Sequence, residues 1–156
     1  MPSLSAIQKA REILRDSAPL NRDCGLYCGA ACCRGDEETG MLLFPGEEAL
    51  YDNCPFGRVV PANFFLGGKP ALLFVCRGEC QRDARPLACR LFPARILPDG
   101  EFRMDTRAAA VCPLYGSGTD AFAPSFRAAL REASAALLAD ADCRAFLSDL
   151  DAALRL

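Results

Sequence analysis

The stretch Ala71-Leu72-Leu73-Phe74-Val75-Cys76-Arg77-Gly78-Glu79-Cys80 joins an uninterrupted apolar run to a pair of cysteines. A short apolar run that follows Pro70 predicts a buried β-strand. The strand would end at Cys76, and Gly78 would form a turn between the two thiols. The segment therefore predicts a strand that delivers two candidate metal ligands at its end.

Further strands and turns are predicted on both sides of this run. Apolar segments divided by proline and glycine precede it, at residues 41–44, 59–60 and 64–66. Residues 45–51 predict one or two helical turns, because Pro45 stands at the start and acidic residues occupy the first turn. After the run, Asp99-Gly100 between residues 94–97 and 101–104 predicts a β-hairpin, since glycine supplies the positive φ that a tight turn needs.

Helical periodicity marks both ends of the chain, at residues 3–18, 122–139 and 142–155. The two C-terminal segments are joined by a short connection with Asp140 or Asp142 as N-cap, which predicts an antiparallel helical hairpin. We therefore expect an α+β fold: a small, irregular antiparallel sheet with an N-terminal helix, a C-terminal helical hairpin and a cysteine-ligated metal site. Residues 1–156 are expected to form a single domain, with a cysteine-cluster core at about 20–115 and the helical hairpin at about 120–155.

The composition favours a cytoplasmic protein. A net charge of −2 over 156 residues argues against nucleic acid as a partner, because phosphate binding needs a concentrated cationic face. The first residues are charged and amphipathic, unlike a signal peptide, and no apolar run approaches the roughly 20 residues of a membrane span. In a reducing compartment, closely spaced cysteines are metal ligands or redox groups more often than disulfides.

The chain contains ten cysteines and no histidine, and most of the cysteines are clustered. Thiols this close in sequence are typical of a metal site, which here would be built almost entirely from sulfur. A short helical turn beginning near Pro86 would carry Cys89, and Cys112-Pro113 follows the predicted hairpin. The candidate metal ligands are Cys24, Cys28, Cys32, Cys33, Cys76, Cys80, Cys89 and Cys112.

The first cluster does not suit a single metal if it forms a straight helix. Cys24 and Cys32 would then lie about 12 Å apart along the helix axis. Sulfurs around one tetrahedral zinc are only about 3.8 Å apart. Either the segment bends at Gly25 and Gly29, or the cluster serves two metals. The eight thiols would suffice for two four-sulfur sites, or for one site with spare groups.

Two cysteines and several arginines have other interpretations. Cys143 lies on an apolar helical face and is expected in the core, whereas Cys54 fits a core role and a ligand role equally. Arginines flank the thiols, among them Arg85, Arg90 and Arg95, and could offset thiolate charge and donate hydrogen bonds around the metal. The alternative is that these arginines form a solvated surface face. For Arg85 and Arg90 the sequence favours neither explanation over the other.

The cysteine motifs resemble the YkgJ-type cysteine cluster family. The matching residues, within roughly 24–112, are Cys24, Cys28, Cys32-Cys33, Cys76, Cys80, Arg85-Pro86, Cys89-Arg90 and Phe92-Pro93. Both gaps in the first motif are three residues long here, where the family signature CxxCxxCC has two. The resemblance implies a zinc- or iron-chelating domain of undefined biochemical activity.

These observations favour metal binding over catalysis. All-sulfur tetrahedral sites suit both zinc and iron–sulfur clusters. Zinc is the first choice for a purified sample, because it needs no assembly machinery and survives air, and iron or an iron–sulfur cluster is the alternative. An iron–sulfur protein acting in redox, or as an accessory to an oxidoreductase or a methyltransferase, is the alternative function. No catalytic or organic-cofactor residue is assigned, because there is no histidine to act as general base and no convergent pair of carboxylates is evident.

Overall fold

Helices at both ends flank antiparallel strands in a computed structural model that describes residues 2–15, 41–76, 84–92, 94–105, 119 and 122–154. The helices are α1 (Pro2–Ile13), α2 (Leu87–Leu91), α3 (Pro124–Leu138) and α4 (Ala141–Leu154), with a 3-10 helix, η1 (Glu47–Tyr51). The strands are β1 (Met41–Leu42), β2 (Gly57–Leu66), β3 (Lys69–Cys76), β4 (Ala94–Ile96) and β5 (Phe102–Met104). This order confirms the predicted α+β class, with small antiparallel sheet structure between terminal helices.

Strand β3 is the centre of a three-stranded sheet with the order β1-β3-β2. Both neighbouring strands pair with β3 in antiparallel fashion. Leu73 of β3 packs with Leu150 of α4 on one face, whereas Phe74 packs with Tyr51 of η1 on the other. Successive side chains of a strand point to opposite faces, so burial on both faces explains the continuous apolar run in this part of the sequence.

Strand β2 is longer than the separate apolar runs 59–60 and 64–66 that the sequence indicated. It continues through Pro61, with an irregular register between Pro61 and Phe65. A proline is tolerated there because β2 is an edge strand of the described sheet. Gly67 and Gly68, with φ of 61° and 81°, form the two-residue turn into β3. Positive φ at both central residues is typical of such hairpins.

The hairpin predicted around Asp99-Gly100 is confirmed. Strands β4 and β5 pair antiparallel and form a sheet of their own. Leu97 N–H donates to the carbonyl of Glu101 at 2.8 Å, and Gly100 has the expected positive φ, 91°. Among the residues that the structure describes, the strands that the sequence assigned to one sheet are therefore divided between two sheets.

The main hydrophobic core lies among the helices and β4. Its fully or almost fully buried members include Ile7 of α1, Leu87 of α2, Ile96 of β4, Phe126 of α3 and Leu147 of α4. Helix α1 packs chiefly against α3. Helix α2 thus shares a core with both terminal helical segments, although it is only five residues long.

Ala139 and Asp140 join α3 to α4, as the predicted helical hairpin requires. Asp140 Oδ2 accepts the N–H of Cys143 at 2.9 Å, which identifies Asp140 as the N-cap residue. Cys143 is fully buried in the main core, in agreement with its predicted place there. Within the described ranges, every helix is too short or too polar to cross a bilayer.

Candidate metal centre

Of the eight candidate ligands, Cys89 falls within the described residues, and Cys76 does so for its backbone alone. The other six, Cys24, Cys28, Cys32, Cys33, Cys80 and Cys112, lie outside them. Among the described residues, no group of three or more cysteines and carboxylates is arranged to hold a metal. The cysteine-ligated site therefore stays a prediction, and its described surroundings are those of Cys76 and Cys89.

Cys76 is the last residue of β3, at an end of the sheet where several segments meet. Strand β2 begins with Gly57 opposite Cys76, and Cys54 lies three residues before Gly57. Strand β1 begins with Met41 opposite Phe74, so the chain enters β1 from the same end of β3. The antiparallel register thus gathers the starts of β1 and β2 around the end of β3.

Cys89 lies on α2, which begins after Pro86 as predicted. Its N–H donates to the carbonyl of Pro86 at 3.0 Å, and the residue is partly exposed. Leu87 and Leu91 of the same helix are buried. A helix this short is not stable alone, so tertiary contacts determine the position of Cys89.

Glu47, at the start of η1, is fully buried and joins η1 to α2. Its Oε2 accepts the N–H of Leu87 at 2.8 Å, and its Oε1 accepts the N–H of Phe44 at 3.0 Å. Burial raises the pKa of this carboxyl; the two N–H donors and the Arg11 guanidinium oppose the rise, and Glu48 adds to it. The carboxylate fastens the first residue of α2 to the chain that follows β1.

Tyr51, at the other end of η1, holds the chain that leads into α2. Its hydroxyl donates to the carbonyl of Ala84 at 2.7 Å. Burial raises the pKa of the Tyr51 phenol, and the charges of Glu47 and Cys89 add to the rise. We call Glu47 and Tyr51 the η1 clamp, because they hold residues 84–87 from the two ends of one short helix.

Arg90 connects α2 to α1 through backbone carbonyls. Its Nε donates to the carbonyl of Arg85 and its Nη1 to the carbonyl of Arg11, each at 3.3 Å. A cleft of about 400 Å³ lies beside this contact, lined by Gln8, Arg11, Glu12, Arg15 and Arg90. That Arg85 and Arg90 offset thiolate charge stays a prediction.

Arg95 forms a buried ion pair and does not lie on the solvated face that was one of its two expected places. Its Nη1 lies 3.0 Å from Asp151 Oδ1, and both side chains are buried. The pair joins β4 to α4, so Arg95 belongs to the structural core and not to a solvated face.

The two remaining described thiols differ in exposure. Cys54 is partly exposed and packs against the small core cluster of Leu43, Tyr51 and Phe74. Its core role and its ligand role both stay predictions. Burial, followed by the hydrogen bond with Asp140, raises the pKa of the Cys143 thiol to about 12. Such a thiol is a poor metal ligand near neutral pH, because the thiolate is the form that binds.

The η1 clamp was not identified by sequence reasoning. Glu47 and Glu48 had the same interpretation, as acidic residues in the first turn of a helix, yet Glu47 is buried and Glu48 is exposed. Local sequence cannot separate them, because the Leu87 N–H that Glu47 binds lies 40 residues further along the chain.

Comparison of the chain with protein-family models, curated proteins and solved structures found no match. The resemblance to the YkgJ-type family therefore stays a prediction that depends on the cysteine motifs.

Proposed function

We propose that the protein binds zinc through the thiolates of its clustered cysteines. The observation that carries the proposal is that η1 contacts both the strand that ends with Cys76 and the chain that leads to Cys89. Strand β3 ends with Cys76 beside the start of β2, which follows η1, and the η1 clamp fastens the chain on either side of Pro86 to that same helix. The two elements that carry these candidate ligands, β3 and α2, thus both contact one short helix.

The chemistry of the donors suits zinc. Zinc binds thiolates in tetrahedral sites at about 2.3 Å, and a four-cysteine set is a common structural site. The partial exposure of Cys89 is consistent with access of an ion to its sulfur. Cys76 and Cys89 do not complete a four-sulfur set, so the remaining ligands would come from Cys24, Cys28, Cys32, Cys33, Cys80 and Cys112.

The proposed role of the zinc is structural. Bound by both cysteine clusters, it would connect the end of β3 and helix α2 to the first cluster. Sites of this kind contribute on the order of 10 kcal/mol to folding, because the unfolded chain holds no preformed site. No catalytic role is proposed.

Metal analysis of the purified chain tests the proposal. We expect about one or two zinc ions per chain, and a lower zinc content in Cys80→Ser and Cys89→Ser. Cys143→Ala is the matched control, because Cys143 is buried in the core and should leave the zinc content unchanged. Metal-free wild-type protein that keeps the melting temperature of the loaded protein would contradict the structural role, and equal zinc loss in Cys143→Ala would contradict the division of the thiols.

An iron–sulfur cluster is the alternative, because four cysteines ligate it equally well. Its function would be redox, or service to an oxidoreductase or a methyltransferase. Anaerobic purification distinguishes the two metals: a brown protein with broad visible absorbance and bound iron would favour the cluster, and a colourless protein with stoichiometric zinc would favour the first proposal.

A further inference from the structure

We infer that the η1 clamp is a positioning device for the metal site, which sets the orientation of Cys89 by holding both the start of α2 and the chain before it. This inference rests on the proposed function. It assigns Glu47 and Tyr51 a role in metal affinity although neither would touch the metal.

The length of α2 is the first reason. Five residues give too few helical hydrogen bonds to hold a helix by themselves, so the direction of the Cys89 side chain depends on what anchors the helix. Glu47 binds the N–H of Leu87, two residues before Cys89, at 2.8 Å. Successive residues of a helix are rotated by about 100°, so fixing Leu87 determines where Cys89 points.

The second reason is that the clamp acts at two points. The Tyr51 hydroxyl holds the carbonyl of Ala84 at 2.7 Å, on the other side of Pro86 from Leu87. With both points fixed, the chain that enters α2 can neither slide along η1 nor turn about a single bond. The same η1 leads through Cys54 to β2, whose first residue lies opposite Cys76. One short helix therefore relates the position of Cys89 to that of Cys76.

The third reason is the chemistry of Glu47. A carboxylate has two acceptor oxygens and no donor, which matches the two N–H groups that converge on it from Phe44 and Leu87. Full burial of a charged group is unfavourable unless hydrogen bonds compensate for it. A glutamine of the same shape would offer one acceptor and turn its amide donors toward the other N–H.

Zinc affinity of the full-length chain tests the inference. Wild-type protein, Glu47→Gln and Tyr51→Phe are compared with Ser134→Ala, a control that removes another side-chain-to-backbone hydrogen bond, from Ser134 to the carbonyl of Gly100. Affinity is measured by competition with a chromogenic chelator. The thiolate-to-metal absorbance of the Co²⁺-substituted protein is measured in parallel, because it reports how many sulfurs bind.

We expect Glu47→Gln to lower zinc affinity by about 10-fold or more, as for the loss of groups that orient metal ligands. The Co²⁺ absorbance should fall by about a quarter if one of four thiolates leaves the metal. Tyr51→Phe keeps the ring in place and should show a smaller change in the same direction. Ser134→Ala should retain wild-type affinity and absorbance.

Unchanged affinity and absorbance in Glu47→Gln would overturn the inference. The inference would also be overturned if zinc affinity fell in proportion to melting temperature in all three variants. That result would show general destabilisation and no specific positioning of Cys89. If Glu47→Gln does not fold, Tyr51→Phe decides by the same criteria. Wild-type protein that binds no metal would instead overturn the proposed function.

Discussion

The buried ion pair between Arg95 and Asp151 provides a quantitative test of the core. Arg95 Nη1 and Asp151 Oδ1 are 3.0 Å apart, and only 6% and 8% of the two side chains are exposed. Within the described residues, the buried Nε of Arg95 has no hydrogen-bond partner. Replacement of Asp151 by asparagine would leave the guanidinium charge buried and without its ionic partner.

We expect Asp151→Asn to lower the free energy of unfolding by about 3–5 kcal/mol, the usual effect of removing one member of a buried pair. The lower end is favoured, because asparagine keeps one acceptor oxygen. A domain of this size has about 5–15 kcal/mol of total stability, so the loss is a large fraction of it. At that lower end, about 3 kcal/mol, the melting temperature should fall by roughly 6–12 °C, at about 2–4 °C per kcal/mol.

Urea unfolding followed by circular dichroism measures the change, with the metal content of all samples held equal. The double variant Arg95→Met/Asp151→Leu should recover most of the lost stability, because well-packed apolar residues often replace a buried pair without loss. A loss below about 1 kcal/mol in Asp151→Asn, the size typical of exposed pairs, would refute the reasoning. A double variant that is less stable than Asp151→Asn would refute it as well.

Three further predictions follow from burial and packing. Gly57→Ala should lower the free energy of unfolding, measured in urea, by about 1–3 kcal/mol. The reason is that the added Cβ would lie 2.7 Å from the carbonyl oxygen of Val75 and overlap the ring of Phe74. A Gly57→Ala variant as stable as wild type would contradict the close packing at the start of β2. Burial raises the pKa of Glu47 in the folded state above its ordinary value of 4.5, which applies to the unfolded chain. The stability that this group contributes is therefore fully present below pH 4.5 and is lost as the pH rises through the folded-state pKa. The unfolding free energy of wild type should therefore fall relative to Glu47→Gln over that range, by at most about 1.4 kcal/mol per pH unit, and parallel pH profiles would contradict the direction. Cys143 should react with iodoacetamide at pH about 8 only after the protein unfolds, because it is fully buried and its thiol pKa is raised to about 12. Mass spectrometry measures the labelling. Labelling of Cys143 as fast as that of the partly exposed thiols would contradict this prediction.

Local elements of the fold could be predicted because their signals lie within a few residues. The helical spacing within residues 3–18 predicted a buried face, and Ile7 and Ala10 of α1 are fully buried. Asp99-Gly100 supplied the turn of the β4–β5 hairpin, and Asp140 the N-cap of α4. Each of these depends on backbone preferences and short-range hydrogen bonds.

The extent of the strands was harder to predict. Pro61 and the glycine pair at 67–68 read as breaks between apolar runs, yet the first lies within β2 and the second is the turn between β2 and β3. Whether a proline interrupts a strand depends on whether that strand lies at an edge of its sheet. Strand order is a property of the assembled sheet and has no local signal.

For the candidate site, too, some features could be predicted from local sequence and others could not. The clustering of thiols and the absence of histidine predict an all-sulfur metal site, and the motif before Cys89 predicted its short helix. The sequence alone determined this kind of chemistry, because donor type and spacing are local properties. Tertiary structure alone decided that Glu47 is buried while Glu48 is exposed, and that Arg95 pairs with Asp151, 56 residues away. Desolvation is the physical reason, since the burial of a charged group depends on which distant segments cover it.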